Sequence, residues 1–203
     1  MIRVMKLKAL ALAPAFVLAL AFPALAERIS LNELSNYLNG LRTVTAAFTQ
    51  VNNDGTISTG TVYISRPGRV RFEYNNDRTL VLASGGNVAI FDGKSNSSAQ
   101  QYPLSETPLS IILDRNVNLG RANMVTGHSE RNNATVVTAQ DPAHPEYGNI
   151  QMLFTPGPTE LRQWIITDKA GEKTTVILGE MSKGMAIPDS RFAIQPELAR
   201  RQR

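Results

Sequence analysis

Histidine is the side chain best suited to proton transfer and metal binding near neutral pH, and the chain has two, His128 and His144. One falls in a strand pattern, the other in a loop between Pro142 and Pro145. Neither has histidine, cysteine or carboxylate partners at ligand or triad spacing. Ser95, Ser97 and Ser98 could offer a nucleophile, but they form a turn cluster without a G-x-S-x-G frame. Glu73 and Glu180 read as solvated strand positions, and Asp168, three residues before Gly171, as part of a turn. H-E-x-x-H, the P-loop and G-x-G-x-x-G are absent. The chain is therefore expected to carry no catalytic residue, no metal site and no cofactor.

Charge and composition narrow the class further. The 203 residues hold 21 lysines and arginines, 17 acidic residues and no cysteine. Arg3, Lys6 and Lys8 precede an apolar run over 9–22, followed by Pro23 and Ala24-Leu25-Ala26. This is expected to be a Sec-type leader cleaved after residue 26; the alternative, a membrane anchor, suffers from the shortness of the run. Residues 27–203 then number 177, with 18 basic and 17 acidic side chains and a charge of +1. Nothing there argues for nucleic acid. Arg200, Arg201 and Arg203 read as a solvated tail. An exported chain without cysteine has no disulfide framework, and no residue that could carry an N-terminal lipid. One domain over 27–203 is expected, in a bacterial periplasm or outside the cell.

The elements follow from periodicity. Ser30-Leu31-Asn32-Glu33 is a capping box, and Leu31, Leu34, Leu38 and Leu41 make one apolar helix face. From Val44 the period becomes two. Val44, Ala46 and Phe48 alternate with threonine and alanine, and a hairpin over 56–74 turns at Arg66-Pro67-Gly68. There Pro67 and Gly68 predict a type II turn. After it Val70, Phe72 and Tyr74 face one way, and Arg69, Arg71 and Glu73 the other. Leu80, Val81, Leu82 and Ala83 are apolar on both faces, 87–92 is a further strand, and 97–102 is a weaker, polar one. Thr107-Pro108-Leu109 then reads as a helix start, with Thr107 as N-cap and Pro108 in the first turn. Strands resume at 123–130, 134–140, 149–155, 159–168 and 172–180, with a short last one at 191–194. Ten or eleven antiparallel strands exceed what a flat sheet carries, so the sheet must curl or close.

Several short pieces, in order, carry a resemblance. They are Phe48-Thr49-Gln50; Gly60, Val62-Tyr63 and Arg66-Pro67; Phe72-Glu73-Tyr74; Ser84-Gly85-Gly86; Thr107-Pro108-Leu109; Asp168-Lys169-Ala170-Gly171; and Phe192-Ala193-Ile194-Gln195-Pro196. The chain resembles the LolA family of outer-membrane lipoprotein carriers. The resemblance implies a mainly β fold with helices: an incomplete antiparallel β-barrel of about eleven strands, an N-terminal helix, and a mid-chain lid helix over an apolar cavity. It implies a monomeric, non-enzymatic periplasmic carrier. Its partners would be acylated lipoproteins, an inner-membrane lipoprotein-releasing ABC transporter and an outer-membrane lipoprotein receptor. The sequence departs from the family at Gly85, where an acidic residue is common, and in Val88-Ala89-Ile90-Phe91, where a Trp or Tyr is common and only Phe91 is aromatic. A lipid-binding or stress-sensor module of the same fold is the main alternative, and an unrecognised hydrolase a lesser one.

Under that resemblance Val70, Phe72, Tyr74, Leu80, Leu82, Val88 and Ile90 are the expected cavity surface. Leu109, Ile112 and Leu113 are the expected underside of the lid. Alternation alone does not separate such residues from ordinary core. The family's Arg-Pro motif makes Arg66 the expected gate, bonding lid carbonyls with its five donors; otherwise it is a solvated turn residue.

Overall fold

The computed structural model describes residues 28–75, 77–94 and 98–201. The expected leader over 1–26, Ser95, Ser97 and Arg203 lie outside these. The first helix, α1, spans Leu31–Gly40. Its capping box is half-formed: Ser30 Oγ accepts from the Glu33 N–H at 3.2 Å, while the Glu33 carboxylate takes the Thr159 hydroxyl at 2.9 Å instead of turning back.

Eleven strands follow among the described residues. They are β1 (Thr43–Val51), β2 (Ile57–Ser65), β3 (Arg69–Tyr74), β4 (Leu80–Ser84), β5 (Asn87–Phe91) and β6 (Gln100–Pro103), then β7 (Val125–Arg131), β8 (Ala134–Gln140), β9 (Asn149–Thr155), β10 (Glu160–Thr167) and β11 (Lys173–Lys183). Between β6 and β7 lies a short helix, α2 (Leu109–Leu113). All strands join one antiparallel sheet, ordered β6-β5-β4-β3-β2-β1-β11-β10-β9-β8-β7. Each half of the chain is a meander of sequential hairpins, and the first and last strands pair in the middle. The β7–β8 hairpin turns through Asn132 and Asn133 at φ 50° and 60°, the positive φ pair that asparagine tolerates in a two-residue loop.

The sheet is strongly curled. Four strand steps separate β3 from β10, about 19 Å on a flat sheet. Yet the rings of Phe72 and Trp164 lie 6.4 Å apart, edge to face. The concave side is therefore an interior, and α1 and α2 fill it. Leu34, Leu38, Leu113, Leu119, Phe154 and Trp164 are each at most 2% exposed. Gly60 on β2 leaves room for the ring of Phe48 on β1, from which a Cβ there would lie only 2.7 Å.

Gly68 takes the positive φ, 71°, expected of it in the turn at Arg66-Pro67-Gly68. Two local expectations are corrected. Thr107 does not cap α2: its hydroxyl donates back to Leu104 O at 2.9 Å, closing the 3-10 turn of Leu104–Glu106, and Pro108 stands at the cap. The chain does not end in a strand at 191–194. A 3-10 turn, Asp189–Phe192, leads into a third helix, α3 (Ile194–Arg201). Pro196 is tolerated there because it lies in the first turn, where N–H groups have no helical partner.

Candidate functional site

The concave face of β3 to β5 is built by alternation and fixed by register. Val70 stands opposite Ala83, and Phe72 opposite Val81; Val88 and Ile90 stand opposite Ala83 and Val81 in turn. Residues directly opposite share a face, so Val70, Phe72, Val81, Ala83, Val88 and Ile90 form one apolar floor. Phe48 on β1 extends it, meeting Phe72 and Tyr74 edge to face at 5.3 and 5.2 Å. Leu109, Ile112 and Leu113 of α2 belong to the same apolar cluster.

Leu80 and Leu82 are not part of it. They stand opposite Glu73 and Arg71, on the convex face. There they pack with Ala89, Phe91 and Phe192, beside Ile194 and Leu198. The C-terminal segment covers this second cluster. The signal for it was present: β4 is apolar on both faces, so something had to cover its outer one.

Tyr74 closes one end of the floor. Its hydroxyl donates to Gln50 Oε1 at 2.7 Å. Burial, opposed by that bond and reinforced by the charge of Asp77, pushes the phenol up to about 12. The folded chain thus holds this proton more tightly than the unfolded chain, where tyrosine titrates near pH 10. Its contribution is complete below about pH 10 and is lost as the pH rises toward 12, amounting to about 3 kcal/mol. Tyr74→Phe is expected to remove that part of the alkaline loss. Urea unfolding of both forms between those pH values measures it, and parallel curves would refute it.

Arg66 sits where β2 turns toward β3 and reaches both helices. Its guanidinium donates to the carbonyl of Leu38 and to Asn39 Oδ1 at the end of α1, and to the carbonyl of Asp114 just after α2. Nε is buried without a partner among the described residues. Burial, with Arg42 nearby and Asp114 opposing, lowers the pKa of the group. Sequence reasoning did not reach two further ties. Asn39 donates to Val117 O and accepts from Val117 N–H, both at 2.9 Å. Ser35 Oγ accepts from the Leu119 N–H at 3.0 Å. The only signal for them was their place on one side of α1, at i and i+4.

Both histidines and Asp168 have structural partners. His128 Nε2 lies 3.0 Å from Ile29 O; His144 stacks on Tyr147 at 4.8 Å and pairs with Glu146. Asp168 accepts from the N–H groups of Ala170 and Glu172. Among the described residues no group of three His, Cys, Asp or Glu is placed to hold a metal. The arrangement offers a curled apolar surface, filled by helices that polar ties hold down. A cleft of about 360 Å³ opens beside α2, with Leu104, Ile111, Leu113 and Met124 among its walls.

The family model described as Outer membrane lipoprotein carrier protein LolA matches residues 39–195. The outer-membrane lipoprotein carrier protein of Chromobacterium violaceum is 26% identical over 192 residues, covering 91% of each chain. That of Dechloromonas aromatica is 24% identical over 188 residues, covering 86% of this chain and 87% of the other. Among solved structures, the LolA superfamily protein of Nitrosomonas europaea covers 83% of this chain and 99% of its own, at 11% identity and a TM-score of 0.42.

Proposed function

The chain belongs to the LolA family of outer-membrane lipoprotein carriers, and from that premise we propose a transport cycle for it. In the periplasm, where the family works, it accepts acylated lipoproteins from an ABC transporter of the inner membrane. It carries them as a monomer and yields them to a receptor at the outer membrane. It is a carrier and not an enzyme. A cleavable leader over 1–26 directs its export.

The observation that carries this reading is the apolar interior closed by helices whose ends are tied to the sheet through Arg66. A buried acyl chain gains roughly 0.8 kcal/mol per CH₂. A carrier must offer much of that and still let go. Here the side chains of α1 and α2 occupy the surface that the lipid needs. Closing of the helices competes with the cargo, and the lipid enters only as they swing out. A site already filled by its own cover binds more weakly than an open one, which is what delivery to a receptor requires. In this cycle Val70, Phe72, Tyr74, Val88 and Ile90 contact acyl chains. Leu109, Ile112 and Leu113 leave with the cover, and Arg66 is the gate.

Purification of the chain from periplasm followed by mass spectrometry tests the reading. Co-purified acylated lipoproteins are expected. Phospholipid alone would replace the carrier with a general lipid-binding module, and an empty protein that hydrolyses esters would overturn both.

A further inference from the structure

The convex face holds a second cleft, of about 310 Å³, between the end of β3, the start of β4 and α3. Its base is organised by one buried carboxylate. Glu197 is 6% exposed and is held by three arginines. Arg71 reaches it with two nitrogens at 3.2 and 3.1 Å, Arg200 at 3.3 Å and Arg201 at 3.9 Å. Three guanidinium groups on one carboxylate leave positive charge unspent. Arg78 adds a fourth to the lining and has no hydrogen bond or ion pair among the described residues.

The other two acids of the cleft are already engaged. Glu73 takes Arg71 Nε at 2.6 Å and Arg191 at 3.3 Å. Asp77 accepts from the Thr79 N–H at 2.7 Å and lies 4.0 Å from Lys94. Arg201 is further fixed over the ring of Phe91, 4.9 Å from its centre. Burial first, then the nearness of Arg78, Arg71 and Arg200, hold its guanidinium below the ordinary value despite Glu197. A tail of solvated arginines would spread apart; these are gathered and oriented around a concave site.

We propose that this cleft binds a phosphate-bearing anion between Arg78, Arg200 and Arg201. Planar forks on a phosphate make the paired, charge-assisted bonds that arginine geometry favours. The volume lies at the lower end of small-molecule sites, so it accepts a phospholipid headgroup as well as free phosphate. The site is on the opposite face of the sheet from the apolar floor and does not depend on the carrier reading.

The test uses the full chain with vesicles of phosphatidylglycerol and phosphatidylcholine, vesicles of phosphatidylcholine alone, and inorganic phosphate. Arg78→Ser and Arg200→Ser are combined, since neither side chain holds α3 by itself and Arg71 and Arg201 remain on Glu197. Binding to the anionic vesicles is expected, about fivefold weaker for each arginine removed and roughly thirtyfold for both, with little change in thermal midpoint. Displacement by inorganic phosphate, or a response to phosphate without vesicle binding, identifies the free anion as the ligand; vesicle binding that phosphate does not displace identifies the headgroup. Equal binding to both vesicles, anionic binding unchanged in the double variant, or a response only to an acidic peptide such as polyglutamate overturns the proposal.

Discussion

Arg66→Leu is expected to free α1 and α2 from the sheet while leaving the strands intact. The substitution removes donors to the carbonyls of Leu38 and Asp114 and to Asn39 Oδ1. Bonds from a charged donor are individually worth about 1.5–3 kcal/mol, and the unpartnered Nε subtracts from their sum. A net loss of about 3 kcal/mol from the closed form raises the open population roughly a hundredfold. The amides of Val117 and Leu119 report it, because their N–H groups are bonded to Asn39 and Ser35 on α1. Their hydrogen exchange should quicken by that factor while the β1–β2 ladder keeps its protection. Release of acylated cargo should change in the same variant. Lysine does not substitute, since a single ammonium cannot serve two helix ends at once. Exchange and release rates equal to wild type would remove Arg66 from the gate.

Phe72→Ala and Leu82→Ala should separate the two faces of the sheet. Phe72 is 5% exposed and Leu82 fully buried. Truncation is expected to cost about 4 and about 3 kcal/mol respectively, by lost burial and the cavity left behind. The stability losses are similar, but the functional ones are not. Phe72 lies against Phe48 and Trp164, so its loss should alter both acyl-probe affinity and the fluorescence of Trp164. Leu82 packs under Phe192 and α3, so its loss should change neither. Urea midpoints combined with probe titrations make the comparison. An equal drop in affinity for both variants would contradict the assignment of the concave face as the lipid surface.

The contrast between these two residues also shows what can be read from the chain. Period-two alternation revealed that β3 has an apolar and a charged face, because its two sets of side chains differ in kind. In β4 both sets are apolar, so alternation has nothing to distinguish, and it places Leu80 and Leu82 on the wrong face. Only the pairing of Glu73 with Leu80 and Arg71 with Leu82 settles the matter, and register is a long-range property. The C-terminal segment failed for a related reason. Arg191 to Ile194 alternates like a strand, and Pro196 disguises a helix whose first turn it occupies. Thr107 followed by proline has the chemistry of an N-cap, but a competing carbonyl at Leu104 took the hydroxyl. Arg66 was legible as a residue that must turn and could donate. That its donors reach residues 28 and 48 positions away in the chain belongs to tertiary structure, as do Asn39 and Ser35.

The strand order has a consequence for how the chain assembles. Among the described residues nine of the ten ladders join neighbours in sequence, and only β1 with β11 spans the domain, bringing Gln50 opposite Val176. Local hairpins close cheaply, whereas a loop of more than a hundred residues must surrender its entropy before that one ladder repays it. The two meanders can therefore form independently, and the zipping of β1 onto β11 is the natural late, rate-limiting encounter. Until it occurs, both strands present bare backbone edges to other nascent chains. The most vulnerable moment in the life of this molecule thus comes before it has any interior to close.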